Sequence, residues 1–280
     1  MVHPGEVVIT SVIKDAPAAK AGLRGNDRII KVDDYTITEK DSLDFIISKI
    51  KGPAGTVVKL TIDRGGVRSV IPVTRAKITI SMIDYKFTKN TPIITIHSFG
   101  RGVANTWSEM LKKNASAIQN AGKLIIDLRD NPGGSLQEVA EMLSDFVPRD
   151  QPVVVTLSRY QEESVVSAGR KIVDFSKIHI VILINGSTAS ASEIMAGTIK
   201  DYLTKNTTII GERSYGKGSV QYLQTFDDNS SFKMTIAHWY TGKTKKIIDG
   251  VGITPDIEVF LDPIQFKQGY DNQMEKALSN

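Results

Sequence analysis

The chain has no cysteine in its 280 residues. That excludes disulfides, a thiolate nucleophile and zinc–thiolate sites, and it is compatible with either an oxidising or a reducing compartment. No apolar run approaches the ~18 residues of a membrane-spanning helix. A strong charge of one sign is also missing: 35 basic and 31 acidic residues leave +4, too small and too dispersed to argue for nucleic acid. The short cluster Lys243, Lys245 and Lys246 reads as a solvated loop. There are four histidines, His3, His97, His179 and His238, and none stands in a recognisable triad motif. Gly-x-Ser-x-Gly, His-x-x-Glu-His, Asp-rich loops and phosphate-cradling Gly-x-x-x-x-Gly-Lys-Ser/Thr are all absent, so neither a metal nor a cofactor is expected.

What is present is an ordinary globular composition, 41% apolar and 24% charged. The length suggests one large or two medium domains. Met1 to Glu6 is no signal peptide, and a strand-like run starts at Val7. This abrupt start suggests a segment cut from a longer chain whose export signal would lie elsewhere.

The first 76 residues read as a small, mostly β unit. Val7 to Ile13 is a predicted strand. Asp15 to Gly22 is a short helix, with proline early and glycine at its end. Arg28 to Val32 is a second strand. Thr38 to Asp41 has the spacing of a capping box for a helix carrying Leu43, Ile46, Ile47 and Ile50, which Gly52-Pro53 stops. Val57 to Asp63 and Ser69 to Thr74 form a predicted hairpin. Residues 77–280 instead alternate strand and helix. Strands are expected at 93–96, 123–128, 153–157, 179–184 and 208–210, helices at 104–121, 136–146 and 189–203, and a β segment at 232–240. Such alternation indicates a parallel sheet covered by helices. Residues 159–177 read as a mobile loop.

The words Ala16-Pro17-Ala18 through Ala21-Gly22-Leu23, then Gly25-Asn26-Asp27-Arg28-Ile29, resemble a bacterial-type PDZ domain. Asn26 departs from the usual Gly-Asp. The resemblance implies capture of extended peptide C-termini by strand addition. The loop that holds the carboxylate is not found in this sequence, so peptide binding by the unit is expected to be impaired.

The chemistry concentrates between residues 187 and 221. Ser187-Thr188-Ala189-Ser190-Ala191-Ser192-Glu193-Ile194 opens a helix with small residues, where a serine can sit beside free backbone N–H donors. Lys217 lies between Gly216 and Gly218, and Gln221 follows four residues on. A serine hydroxyl needs a base. Lysine can serve only when neutral, which requires burial to bring it from about 10.4 towards ~7–8. A helical turn would put Lys217 and Gln221 on one face; an extended segment would hold them apart.

These stretches resemble the C-terminal processing, or tail-specific, proteases of serine peptidase family S41. So do Asp127-Leu128-Arg129-Asp130-Asn131-Pro132-Gly133-Gly134 and Gly250-Val251-Gly252-Ile253-Thr254-Pro255-Asp256. The likeness covers nearly the whole chain, in the family's order with the PDZ unit first. It departs by lacking an N-terminal helical region and a proline within Tyr240 to Lys243. It implies an α/β fold with a crotonase/ClpP-like ββα core and a catalytic set of Ser190, Lys217 and Gln221. Ala191 with Gly133 or Gly134 would supply the oxyanion donors. Spacing alone favours Ser192, 25 residues before Lys217 as is usual in the family, over Ser190 at 27. The Ser-Ala-Ser-Glu word selects Ser190, with the extra length placed at Leu203 to Thr207. Asp127 and Arg129 read as a structural ion pair. The family further implies protein or peptide substrates with apolar C-terminal tails, no cofactor, and an extracytoplasmic location. The rival reading is the same fold with silent chemistry, acting as a peptide- or ligand-binding module.

Overall fold

Separate apolar cores divide the chain into two units, Met1–Ile80 and Ser81–Asn280. The computed structural model describes residues 7–9, 12, 16–78, 81–226 and 230–280. The rest of the expected strand from Val7 to Ile13, the start of the expected helix at Asp15, the stretch where a carboxylate loop was sought and His3 lie outside them.

The first unit contains β1 (Val7–Val8), α1 (Pro17–Lys20), β2 (Arg28–Val32), β3 (Tyr35–Thr36), α2 (Leu43–Ile50), β4 (Val57–Arg64) and β5 (Val67–Thr74). The sheet is antiparallel in the order β1-β2-β4-β5, with β3 on β2. Along β4 the alternate residues Val58, Leu60 and Ile62 point into the core, where Ile46 of α2 meets them. Asn26, the departure from the PDZ pattern, occupies a left-handed position at φ 68°, a conformation asparagine tolerates. The following Asp27 is fully buried and takes two bonds from Arg64, at 2.6 and 2.7 Å. That guanidinium holds the Asp27 carboxyl below the usual range. The capping expectation needs correction: Asp41 closes a turn on Thr38 N–H (2.7 Å), and Ser42 is the cap of α2, accepting from Phe45 N–H. The carboxylate bonds the expected N–H, but in a turn that ends before the helix begins.

The second unit contains β6 (Ile83–Thr88), β7 (Thr91–Ile96), α3 (Val103–Ala121), β8 (Lys123–Asp127), α4 (Leu136–Leu143), β9 (Pro152–Ser158), β10 (Glu162–Val166), β11 (His179–Ile184), α5 (Ala191–Tyr202) and β12 (Thr207–Gly211). It continues with β13 (Ser219–Thr225), β14 (Ser231–Thr241), β15 (Ile257–Glu258), α6 (Pro263–Lys267) and α7 (Asn272–Ser279). A six-stranded sheet runs β15-β12-β11-β8-β7-β6, parallel throughout except for the β6–β7 hairpin. Its central strands carry continuous apolar runs, Leu124 to Ile126 in β8 and Ile180 to Ile184 in β11, because both faces are covered there. Ile94, Ile126, Ile180 and Ile182 pack in the main core, which includes residues of α3, α4 and α5, whereas Ile93, Ile125, Val181 and Leu183 pack with Ala277 of α7. A second, antiparallel sheet runs β10-β9-β14-β13. The expected loop at 159–177 is partly this sheet: Glu162–Val166 pairs with β9, and Phe175–Lys177 is a 3-10 turn. β10 was missed because all five of its residues are exposed, which removes the apolar alternation that marks a strand.

Arg129 closes the C-terminus onto the sheet. Its fork bonds Asp127 at 2.9 and 2.7 Å and Asp271 at 2.9 and 2.8 Å. Asp271 in turn caps α7 by accepting Met274 N–H at 2.9 Å. Burial opposes the charge on Asp271, but the Arg129 fork and the backbone donors outweigh it and hold the carboxyl below its ordinary range. A depressed carboxyl stabilises the fold above its unfolded value of about 3.9 and ceases to do so as pH falls through the lower folded value. Arg129→Met leaves the buried Asp127 and the half-buried Asp271 without a cation and is expected to cost about 3 kcal/mol in urea unfolding. In the parent chain, protection of the α7 amides from hydrogen exchange should fall on acidification below about pH 4.

Candidate active site

Parallel β-strands send the loops that follow them to one edge of the sheet, and open α/β sheets place their sites there. Here β8, β11 and β12 are adjacent and in register, with Leu183 beside both Asp127 and Ile210. The loop after β8 carries Pro132-Gly133-Gly134, the loop after β11 leads to Ser190, and the loop after β12 carries Lys217. The three candidate segments therefore leave the same edge of the sheet.

Ser190 is the N-cap of α5 and has φ 59° and ψ −120°. Positive φ is a strained conformation for a residue with a side chain, and such strain collects at functional turns. Its N–H donates to Glu193 Oε2 at 2.8 Å. Ser192 behaves differently: it is fully buried in the first turn of α5, and its hydroxyl donates to the Asn131 carbonyl at 3.0 Å. Ser187 is exposed. A 3-10 turn at Thr204–Asn206 follows α5, where the extra length between serine and lysine was placed.

Glu193 organises the site, and the sequence reading did not assign it a role. Its carboxylate is fully buried and takes four donors: Ser190 N–H (2.8 Å), Lys217 N–H (2.9 Å), Gly216 N–H (2.7 Å) and the Ser214 hydroxyl (2.5 Å). Four donors fill the acceptor sites of a carboxylate, and a position in the first turn of a helix favours negative charge. Ser214 Oγ also accepts Ile253 N–H at 2.6 Å, which ties in the Gly250 to Asp256 loop. The Ser190-x-x-Glu193 spacing before an apolar run is a capping-box signal that could have pointed to this residue.

The Lys217 turn is held on its other side as well. Trp239 of β14 donates its indole N–H to the Lys217 carbonyl at 3.0 Å and its backbone N–H to the Gly218 carbonyl at 2.8 Å. Asp249 accepts Gly218 N–H at 2.9 Å. Gly216 has φ +86°, and a Cβ there would stand 2.8 Å from Gly252 N, so glycine is required. The half-buried Lys217 lines a cavity of about 290 Å³ together with Ser190, Ala191, Gly134, Gln221 and Trp239. Leu136, Ile194 and Val220 form apolar walls, and none of the lining residues is acidic.

The two glycines differ. Gly133 is buried, and its N–H donates to Asn131 Oδ1 at 2.9 Å, so that donor is already engaged. It serves by fitting closely: at φ +100°, a Cβ would lie 2.8 Å from Ser190 Cβ and 2.7 Å from the Ala189 carbonyl. Gly134 is exposed and lines the cavity. Among the described residues no hydrogen bond engages the N–H of Gly134 or of Ala191.

Gln221 lies on β13, extended and exposed, so the helical-turn geometry does not occur. No hydrogen bond joins it to Lys217 among the described residues. A bulge between Val220 and Gln221 breaks the strand's register at the cavity. The described histidines lie elsewhere: His97 pairs with Asp84, His238 with Asp249, and His179 stands near the Thr208 hydroxyl. None of them lines the cavity that holds Ser190. No group of three or more acidic or histidine side chains that could hold a metal occurs among the described residues.

Glu193→Gln replaces one acceptor oxygen with a donor facing donors. It is expected to destabilise the second unit by about 2–3 kcal/mol. Hydrogen exchange should quicken at the Gly216 and Lys217 amides while those of β4 are unchanged.

The comparisons with known proteins agree with this layout. Peptidase family S41 matches residues 90–259, and a PDZ domain matches residues 8–64. A protein named "Probable CtpA-like serine protease" from Staphylococcus haemolyticus is 34% identical over 255 residues, which is 91% of this chain and 50% of that protein. One of the same name from Staphylococcus saprophyticus is 33% identical over the same shares. The chain thus spans about half the length of these curated relatives. Among solved structures, the photosystem II D1 C-terminal processing protease superposes with a TM-score of 0.62 at 25% identity, over 91% of this chain and 69% of that one. With the family match running from β7 to β15 and through every segment that builds the cavity, the chain belongs to peptidase family S41 and carries a PDZ domain ahead of the peptidase fold.

Proposed function

We propose that the chain is the catalytic part of a serine endopeptidase that cuts protein substrates near their C-termini through an acyl-enzyme. Residues 1–76 would form the PDZ-like unit and 77–280 the peptidase core. One observation carries the reading: Ser190, on a strained turn at the mouth of α5, shares a single cavity with Lys217 and with two unengaged N–H groups, those of Ala191 and Gly134.

Ser190 Oγ attacks the scissile carbonyl carbon, and Lys217 Nζ, in its neutral form, takes the hydroxyl proton. The carbonyl oxygen gains the negative charge and is met by the Ala191 and Gly134 N–H groups, the first at a helix N-terminus. As the C–N bond breaks, the proton passes from Lys217 to the leaving amine. Water then attacks the acyl-enzyme with the same lysine as base and frees Ser190. Gln221 lines the same cavity from the bulge in β13. Gly133 contributes close approach and not a donor. Ser192 anchors α5 to the Asn131 carbonyl, a structural role its burial supports. The chemistry needs no cofactor.

A PDZ domain beside such a core suits substrates presented as extended tails with apolar ends. The similar solved structure is named a C-terminal processing protease, which supports action on C-termini. We place the full-length protein outside the cytoplasm on the family resemblance; no helix among the described residues is long and apolar enough to cross a membrane. The alternative is a silent binding module, against which the retained serine, lysine and free donors speak.

Ser190→Ala should lower cleavage of an unstructured protein such as casein by roughly 10³-fold or more and leave thermal unfolding unchanged. Lys217→Ala should do the same, while Ser192→Ala keeps most of the activity. Full activity in Ser190→Ala, or loss confined to Ser192→Ala, would overturn the assignment. Trp239→Phe keeps an aromatic side chain, smaller than the indole, and removes the bond to the Lys217 carbonyl. It should lower kcat about tenfold, because the turn that carries the base loses a tether.

A further inference from the structure

The antiparallel sheet of the second unit has two edges, and they are built differently. β10 ends it on one side, with Glu162 and Glu163 and a register break between Val165 and Val166. Charges and bulges of this kind keep an edge strand from pairing with another chain. β13 ends it on the other side and has neither a charged residue nor a proline in Ser219–Thr225. Among the described residues β13 pairs with β14 alone, and no other backbone group bonds it.

β9 pairs with β14 only from Ala237 to Thr241, so Ser231 to Thr235 pair with β13 and with no other strand. The two strands run out of the sheet there as a ribbon. Tyr222 stands opposite Met234, and Gln224 opposite Phe232. Directly opposed residues share a face, and the Tyr222 hydroxyl donates to Gln224 Oε1 along it at 2.7 Å. Tyr222, Met234 and Phe232 are 49%, 48% and 53% exposed. A two-stranded ribbon is marginal in water by itself, and a contiguous exposed apolar face marks a place of contact. The other end of β13 points to what makes that contact. Ser219, Val220 and Gln221 line the cavity that holds Ser190. Tyr222 to Thr225 then extend roughly 13 Å beyond it, at ~3.3 Å per residue. A chain lying along β13 therefore reaches the cavity without a turn.

We propose that β13 takes up the substrate as an added strand: an extended, uncharged, apolar-rich segment of about four residues beside the scissile bond. The N–H and C=O groups on the outer side of β13 bond the substrate main chain, and alternate substrate side chains lie beside Tyr222 on the apolar face. Main-chain pairing is indifferent to sequence, so this surface selects unfolded segments over folded ones. A second copy of the chain, paired edge to edge, gives no reason for the open strand to begin in the cavity. That the added strand is substrate rests on the peptidase reading; that β13 accepts a strand rests on the edge alone.

The test is hydrogen exchange of the whole chain, as the Ser190→Ala variant, with and without an excess of casein. Casein should slow the outward-facing amides of β13 at least tenfold and leave those of β10 unchanged. This reading needs no substitution on the ribbon. In a second arm, the double variant Tyr222→Lys, Gln224→Lys, made in the same background, should bind fluorescein-labelled casein at least fivefold more weakly by anisotropy. Ser164→Lys on β10 should bind it as before. Protection confined to residues 1–80, no protection of β13, or affinity unmoved by the double variant overturns the proposal. The last result, together with a shift from dimer to monomer in sedimentation, would assign the edge to a second copy. Protection of β13 in a chain whose wild type does not cut casein would leave this surface standing and sink the peptidase reading alone.

Discussion

A buried carboxylate with no cation beside it governs this structure. Four donors converge on the Glu193 carboxylate, one from the Ser190 turn and three from the Ser214 to Lys217 loop. A buried carboxylate without such donors would be strongly unfavourable. A loop more than twenty residues on is thereby locked to the start of one helix. The strained backbone of Ser190 persists for the same reason, since its N–H is held by the carboxylate while Gly133 closes over its Cβ. The arrangement of the Ser190 cavity and the stability of the fold thus depend on one set of bonds.

The sheet supplies the frame for that set. Adjacent parallel strands bring three loops to one edge, and the antiparallel sheet adds Trp239 and β13 from the far side of the cavity. The Lys217 turn has almost no freedom: its N–H groups and carbonyls are taken by Glu193, Asp249 and Trp239. A lysine side chain is long and flexible, and a rigid turn beneath it restricts where the amine can go. Apolar walls with no acid among them complete the setting.

Much of the architecture was legible because it rests on local rules. The strand–helix alternation from β7 to β12 follows apolar runs and caps that short windows reveal, and β11 falls at the expected His179–Ile184. Other elements were not legible. β13 has no buried side chain among its described residues, so no alternation marks it as a strand, whereas β14 falls at the β segment expected over 232–240. The helix cap at Ser42 was displaced because Asp41, next to it, bonds the turn before the helix instead of the helix itself. Asp271, 142 residues from Arg129, gives no local sign that it completes the ion pair expected between Arg129 and Asp127.

The sequence by itself determined the two units, the α/β character of the second, and which small-residue, glycine and lysine words carry chemistry, since composition and short spacing encode these directly. Only the tertiary structure decided which backbone donors are free. Gly133 and Gly134 are neighbours of the same type, yet one N–H is taken by Asn131 while no hydrogen bond engages the other among the described residues. Ser190 and Ser192 differ in the same way: two residues apart on a helix start, one is buried with its hydroxyl on the Asn131 carbonyl while the other lines the cavity. A hydrogen bond is a matter of direction and distance between segments, and no spacing along one chain specifies either.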